Sequence, residues 1–251
     1  MSAPLQDVVA YLDDYLRVDQ TPDYPSALNG LQVESDGPVT QFAVAVDASE
    51  TVIHAVKDWA DLLIVHHGLF WGGLRPLTGP LHRKIRTLME SNTALYSVHL
   101  PLDRHAEIGN AAVMARELGM KSLEPFGAFK EISIGWKGRL HSPVEELKER
   151  LGELVDGEVR VLPGGPDPVQ TVAVVTGSGA SFLNEAAASG VDLLITGEAQ
   201  HHHVIESAEL GVTTLLGGHY ATETWGVKEI STLLRDRFDI EGLFIDAPTG
   251  L

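Results

Sequence analysis

"ADLLIVHH" (residues 60–67) and "VDLLITGE" (residues 191–198) repeat one pattern: an apolar residue, an aspartate, a run of aliphatic and β-branched residues, and a polar end. A short apolar run of this kind reads as a strand buried on both faces, as in a parallel sheet. Each copy is preceded by another apolar run, at 42–46 and 172–175. The residues between read as helix, over 52–59 after a Ser49–Glu50 start and over 182–188. Strand, helix, strand with short joints is a parallel crossover unit. Each copy is then followed by a helix and a strand, at 81–92 and 94–98 in the first half and at 204–210 and 213–216 in the second. The correspondence ends on "HLPLD" (99–103) against "HYATE" (219–223), each a histidine with a carboxylate four residues later. The repeat predicts an α/β fold of two similar lobes with a metal site in the cleft between them.

The remaining segments fill in around this frame. Leu5, Val8, Val9, Leu12 and Leu16 predict a helix over 4–17. Residues 22–29 read as a loop, and a helix over 108–118 is closed by Gly119. The middle of the chain holds strands at 131–136 and 160–162, a helix after Pro143 and a surface loop over 163–168. The last helix is expected over 223–234. The lobe boundary falls near Phe126, so that residues 1–126 carry His66, His67 and Asp103 and residues 127–251 carry His219 and Glu223.

Composition excludes several functional classes. With 44% apolar and 21% charged residues the chain has the balance of a globular protein, and no apolar run approaches the roughly 20 residues of a membrane span. The N-terminus lacks a secretory pattern, so a cytoplasmic location is expected. Cysteine is absent, which removes disulfides and thiolate chemistry and leaves imidazole, carboxylate and water as metal ligands. A net charge of −17 disfavours nonspecific attraction to nucleic acid or anionic lipid.

His66 and His67 stand at the carboxyl end of a strand, where open α/β sheets place their ligands. Neighbouring side chains on a strand point to opposite faces. The two imidazoles therefore share a site only where the strand gives way to a loop, and there they would serve two different metals. His219 and Glu223 sit at the start of the last helix, on one face and about 5–6 Å apart. Imidazole with carboxylate suits zinc, iron or manganese. His99 and Asp103 have the same spacing, with Pro101 between them favouring a loop over a regular helix. Glu198 occupies the repeat position of His67 and reads either as a solvated turn residue or as a carboxylate that orients water or a ligating histidine. Glu198 and His99 are the candidate proton-transfer groups. Of His201, His202 and His203, at most one faces the metals. "TGSGAS" (176–181) reads as a tight turn rather than an anion cradle, because it lacks a Walker lysine and a third glycine. Arg75, Arg83, Lys84 and Arg86 read as a solvated helix face.

"NGLQV" (29–33), "LLIVHHGLFW" (62–71), "SVHLPLDRH" (97–105), "GNAA" (109–112), "ITGE" (195–198) and "GGHYATE" (217–223) together resemble the Nif-three-like family, whose members are labelled GTP cyclohydrolase 1 type 2 homologues. The resemblance runs over nearly the whole chain, without the large central insertion of longer members. It implies a two-lobed α/β fold, a dinuclear metal centre in the cleft and a toroidal homohexamer built from trimers. The family's ligands carry over onto His66, His67, Asp103, His219 and Glu223, with Glu223 bridging two divalent ions per subunit. The resulting expectation is a metal-dependent hydrolase of a nucleotide or related small heterocycle. Its rivals are a non-enzymatic metal-binding scaffold or regulatory protein in a ring-shaped oligomer, and an iron oxidoreductase using the same ligands.

Overall fold

Strand Leu62–His67 forms between two parallel neighbours, Gln41–Asp47 and Ala94–Ser97, with Leu62 to Val65 fully buried. The computed structural model of the chain, which describes residues 1–251, divides into two compact units. The first comprises Met1–Leu102 and Gly226–Ala247. Its sheet has five strands in the order Glu241–Phe244, Gln41–Asp47, Leu62–His67, Ala94–Ser97, Gly30–Val33. All are parallel except the last. Helices Glu50–Val56 and Gly79–Glu90 make the crossovers and bury Val52, Ile53, Leu81 and Leu88 with Ala43, Leu63, Val65 and Leu95. The Ser49 side chain caps the first of them by accepting the Val52 N–H at 3.1 Å.

The second unit comprises Asp103–Trp225 and Pro248–Leu251. Its six strands run in the order Lys121–Phe129, Ile132–Ser142, Val169–Val174, Leu193–Thr196, Thr213–Leu216, Arg160–Leu162. The Val169–Val174, Leu193–Thr196 and Thr213–Leu216 strands are mutually parallel, and the other pairings are antiparallel. Because side chains alternate along a strand, Val172 and Val174 pack with Met114, Leu118, Leu147 and Leu151, while Ala173 and Val175 pack with Leu183, Ala186 and Val212. No helix is long and apolar enough to cross a membrane.

The chain divides differently from a break near Phe126, which lies inside strand Lys121–Phe129. Helix Asn110–Glu117 buries Ala111, Met114 and Ala115 in the core of the second sheet, which draws Asp103 into the second unit. At the other end, Glu241–Phe244 returns to pair with Gln41–Asp47, so the division falls within helix Thr224–Phe238. The hairpin strand expected over 131–136 extends to Ile132–Ser142.

The aspartates of the two quoted phrases do one job. Asp61 Oδ2 accepts the Thr40 N–H at 2.6 Å, the Thr40 hydroxyl at 2.6 Å and the Gln41 N–H at 3.0 Å. Asp192 Oδ2 accepts the Gln170 and Thr171 N–H groups at 2.8 and 2.9 Å. Each carboxylate pins the start of the neighbouring parallel strand. Replacing either by alanine removes the acceptor from donors that water can partly reach, so Asp61→Ala and Asp192→Ala are each expected to lower stability by about 0.5–1.5 kcal/mol in chemical denaturation. Wild-type midpoints in both variants would refute this role.

Candidate metal centre

The first unit brings three imidazoles together. His66 is fully buried, and its Nδ1 lies 2.9 Å from the Val98 carbonyl oxygen. A carbonyl only accepts, so Nδ1 carries the hydrogen and the lone pair of the neutral ring sits on Nε2. His67 stands in register with Asp47 and places Nδ1 2.9 Å from its carboxylate. His99 places Nδ1 3.0 and 3.2 Å from the two carboxylate oxygens of Asp23. In all three rings Nδ1 is held from behind, which fixes the orientation of the imidazole. Ring centroids are separated by 4.8 Å (His66–His67), 5.0 Å (His66–His99) and 5.8 Å (His67–His99). One ring nitrogen from each falls within 4.8 Å of the others.

Residues from the "NGLQV" segment support this cluster. Asn29 donates to Asp23 at 2.8 Å and accepts the His99 N–H at 2.7 Å, while the Leu100 N–H donates to Asp23 at 2.9 Å. Burial pushes the Asp23 carboxyl up, but the hydrogen bonds from His99, Asn29 and the Tyr24 N–H outweigh it and leave the group below its ordinary range. Gln32 accepts the Leu69 N–H at 2.9 Å and donates to the Ala27 and Leu28 carbonyls, fixing the turn that follows His67. A Cβ on Gly68 would lie 2.3 Å from the Gln32 side-chain amide, so a larger residue there must displace that amide and the hydrogen bond it accepts from Leu69.

The second unit holds its own pair. His219 opens the short helix His219–Thr222, and its Nε2 lies 3.1 Å from Glu223 Oε2 while its Nδ1 lies 3.0 Å from Glu198 Oε1. Glu198 Oε1 also accepts the Ser178 hydroxyl. The bond to Glu223 raises the His219 pKa to about 9 against the opposing effect of burial, with Glu198 adding to the rise. Hydrogen bonds from Ser178 and His219 hold the Glu198 carboxyl below its ordinary value. Asp103 is buried, and its Oδ1 accepts the Asn110 side-chain amide at 2.9 Å.

The other sequence features resolve as follows. In "TGSGAS" the Gly177 N–H donates to the Thr222 hydroxyl at 3.1 Å and the Gly179 N–H to the Thr196 hydroxyl at 2.8 Å, so these donors serve the turn and no anion. Arg83 pairs with Glu50 and Arg86 with Glu90 on the surface. His201 and His202 are exposed, whereas His203 is buried.

These residues fit a divalent ion. An imidazole whose far nitrogen is held by a carboxylate or carbonyl is the usual means of aiming the near one at a metal. A nitrogen and oxygen donor set without thiolate suits zinc, iron or manganese. Sequence reasoning missed Asp23, Asp47, Asn29 and Gln32. The register of the strand pair was the signal for Asp47, since the residue after the 42–46 run must stand opposite the end of "ADLLIVHH".

Comparison with known proteins agrees with the fold. The family model described as Duf34/NIF3 (NGG1p interacting factor 3) matches residues 3–249. A protein of Deinococcus radiodurans named GTP cyclohydrolase 1 type 2 homolog is 41% identical over 249 residues, covering 98% of this chain and 94% of its own. One of the same name from Halobacterium salinarum is 44% identical over 254 residues, covering 98% and 99%. The crystal structure of TTHA1606 from Thermus thermophilus matches with a TM-score of 0.90 at 42% identity, over 98% of this chain and 99% of that one.

Two outcomes follow from this geometry. Asp47→Asn weakens the acceptor behind His67, so metal affinity should fall about 10–100-fold with the fold intact; competition with a chromophoric chelator measures it, and wild-type affinity would count against the assignment. The folded pKa of His219 lies above its ordinary value of 6.5, so its pairing stabilises the metal-free chain fully below that value and is lost as pH rises through about 9. If His219 ligates a metal, the ion displaces the same proton, and apparent affinity should then climb with pH up to about 9. An affinity flat over that window would contradict the ligand role of His219.

Proposed function

The chain belongs to the Duf34/NIF3 family, and on that footing we propose that it is a metal-dependent hydrolase of a nucleotide or related heterocycle, working at a dinuclear centre in the cleft between two similar lobes. His66, His67, Asp103, His219 and Glu223 would hold two divalent ions, zinc, iron or manganese. The observation that carries this reading is that His66, His67 and His219 each have Nδ1 engaged by a fixed acceptor, at 2.9, 2.9 and 3.0 Å. Such spending of hydrogen-bond acceptors is what a ligating imidazole requires and what a solvated surface histidine does not. Bound there, divalent ions supply Lewis acidity and acidify water near neutral pH.

The chain's own residues do the rest. His66 is buried at the strand end, where the Val98 carbonyl fixes its tautomer. Asp23 holds His99 in one tautomer, so His99 Nε2 is the atom that takes and returns a proton. Glu198 holds His219 through Nδ1 and orients it. The relatives' name, GTP cyclohydrolase 1 type 2 homolog, makes guanine nucleotides the first substrates to try. The assembly in this reading is a homohexameric ring.

Elemental analysis of untagged protein should give two metal ions per chain. Glu223→Ala should lose metal together with turnover in a screen of nucleotides. His99→Gln should keep its metal and lower kcat by about 10²–10⁴-fold. Turnover no greater in the wild type than in Glu223→Ala would sink the hydrolase reading. If chelation dissolved the oligomer and no substrate turned over, a metal-locked scaffold would replace it.

A further inference from the structure

The second unit contains a cavity of about 400 Å³, lined in part by Ser178, Ala180, Glu198, Ala199, His202 and His203. That volume lies in the range of small-molecule sites, roughly 300–1,000 Å³. Its polar groups have defined roles. His203 is 8% exposed, and its Nδ1 accepts the Gln200 backbone N–H at 2.9 Å. Burial lowers its pKa from the ordinary value, so the ring is neutral at neutral pH. A neutral imidazole that accepts at Nδ1 carries its hydrogen on Nε2. His203 is therefore a donor toward the cavity. The same tautomer rules out a metal there: His202, His203 and Glu206 cluster closely enough to suggest one, yet His203 has no free lone pair to give.

Glu198 supplies the complementary group. Ser178 and His219 both address its Oε1, which leaves Oε2 as an acceptor at the cavity wall. A carboxylate in a chain of net charge −17 repels phosphate. The fragment that fits is neutral and offers one acceptor and one donor, with the Ala180 and Ala199 methyls against an apolar ring. We propose that this cavity binds the base end of the substrate, a heterocycle with a lactam edge, whose carbonyl accepts from His203 Nε2–H and whose ring N–H donates to Glu198 Oε2. This rests on the reading of the chain as acting on a nucleotide or heterocycle, and it adds which end of that substrate meets the second unit. Guanine and hypoxanthine present such an edge. Adenine presents an amino donor and a ring acceptor in the reverse order, opposing both protein groups.

Calorimetric titration of the full chain, metal-loaded and metal-free, with guanosine, inosine and adenosine tests this without reference to turnover. Guanosine and inosine should bind at least about tenfold more tightly than adenosine in both forms, since one mismatched hydrogen bond costs about that factor. His203→Gln keeps an acceptor for the Gln200 N–H and an N–H donor, so it should retain the preference. His203→Glu keeps only the acceptor, as glutamate does at this position of a capping box, and should lose the preference with the same Tm as His203→Gln. Equal binding of adenosine, no binding of any nucleoside, competition by inorganic phosphate, or an unchanged preference in His203→Glu would each overturn the proposal. Selective guanosine binding without hydrolysis would remove the hydrolase reading alone, and hydrolysis without base selectivity would remove only this assignment.

Discussion

Strand Leu62–His67 is hydrogen-bonded along both edges by parallel neighbours, and the position of its last two residues follows from that. Val65 lies in register with Ser97, and His67 with Asp47, so the strand cannot shift without breaking two ladders. One step beyond the Ser97 pairing, the Val98 carbonyl receives the His66 imidazole. A side chain mounted on a paired strand is held more narrowly than one on a free loop, and metal ligation needs that precision. The Asp61 carboxylate pins the start of the adjacent strand and so sets the register at the end opposite the imidazoles.

The acceptors behind the histidines differ in kind. His67, His99 and His219 are partly accessible, and each has a carboxylate behind it: Asp47, Asp23 and Glu198. His66 is fully buried and has a backbone carbonyl instead. A carboxylate at that depth would carry a desolvation penalty of several kcal/mol. A carbonyl fixes the tautomer with no charge to bury.

Much of this was legible in the amino-acid sequence, for reasons particular to each element. The runs at 42–46, 62–65 and 94–98 are apolar on both faces because parallel strands are buried on both faces, and they emerge as strands close to the expected bounds. His66 and His67 stood out because imidazoles at the end of such a run are chemically conspicuous. Asp23 and Asn29 were invisible for the opposite reason. They lie in a polar loop whose composition is ordinary, and their meaning comes from contacts with His99 and Leu100 some 70 residues away. The lobe boundary was misplaced because helix Asn110–Glu117 continues the first-half pattern in sequence while its buried face matches the second sheet. Local periodicity records that a face is apolar and carries no record of which sheet it covers.

Glycine decides how closely the loops of the second unit approach His219 and Glu223. Gly177 has φ +60°, and a Cβ there would lie 2.2 Å from Glu223 Oε1; one on Gly197 would lie 2.7 Å from the His219 Cα. Glu223 is buried, so it has little room to yield. With glycine admitted, two threonines fasten the loop. Thr196 donates to the Gly177 carbonyl at 3.0 Å, and Thr222 accepts the Gly177 N–H while donating to the His219 carbonyl at 3.0 Å. The Gly177 and Gly179 N–H groups are thereby consumed within the protein. "TGSGAS" is then a spacer that brings the main chain against a carboxylate.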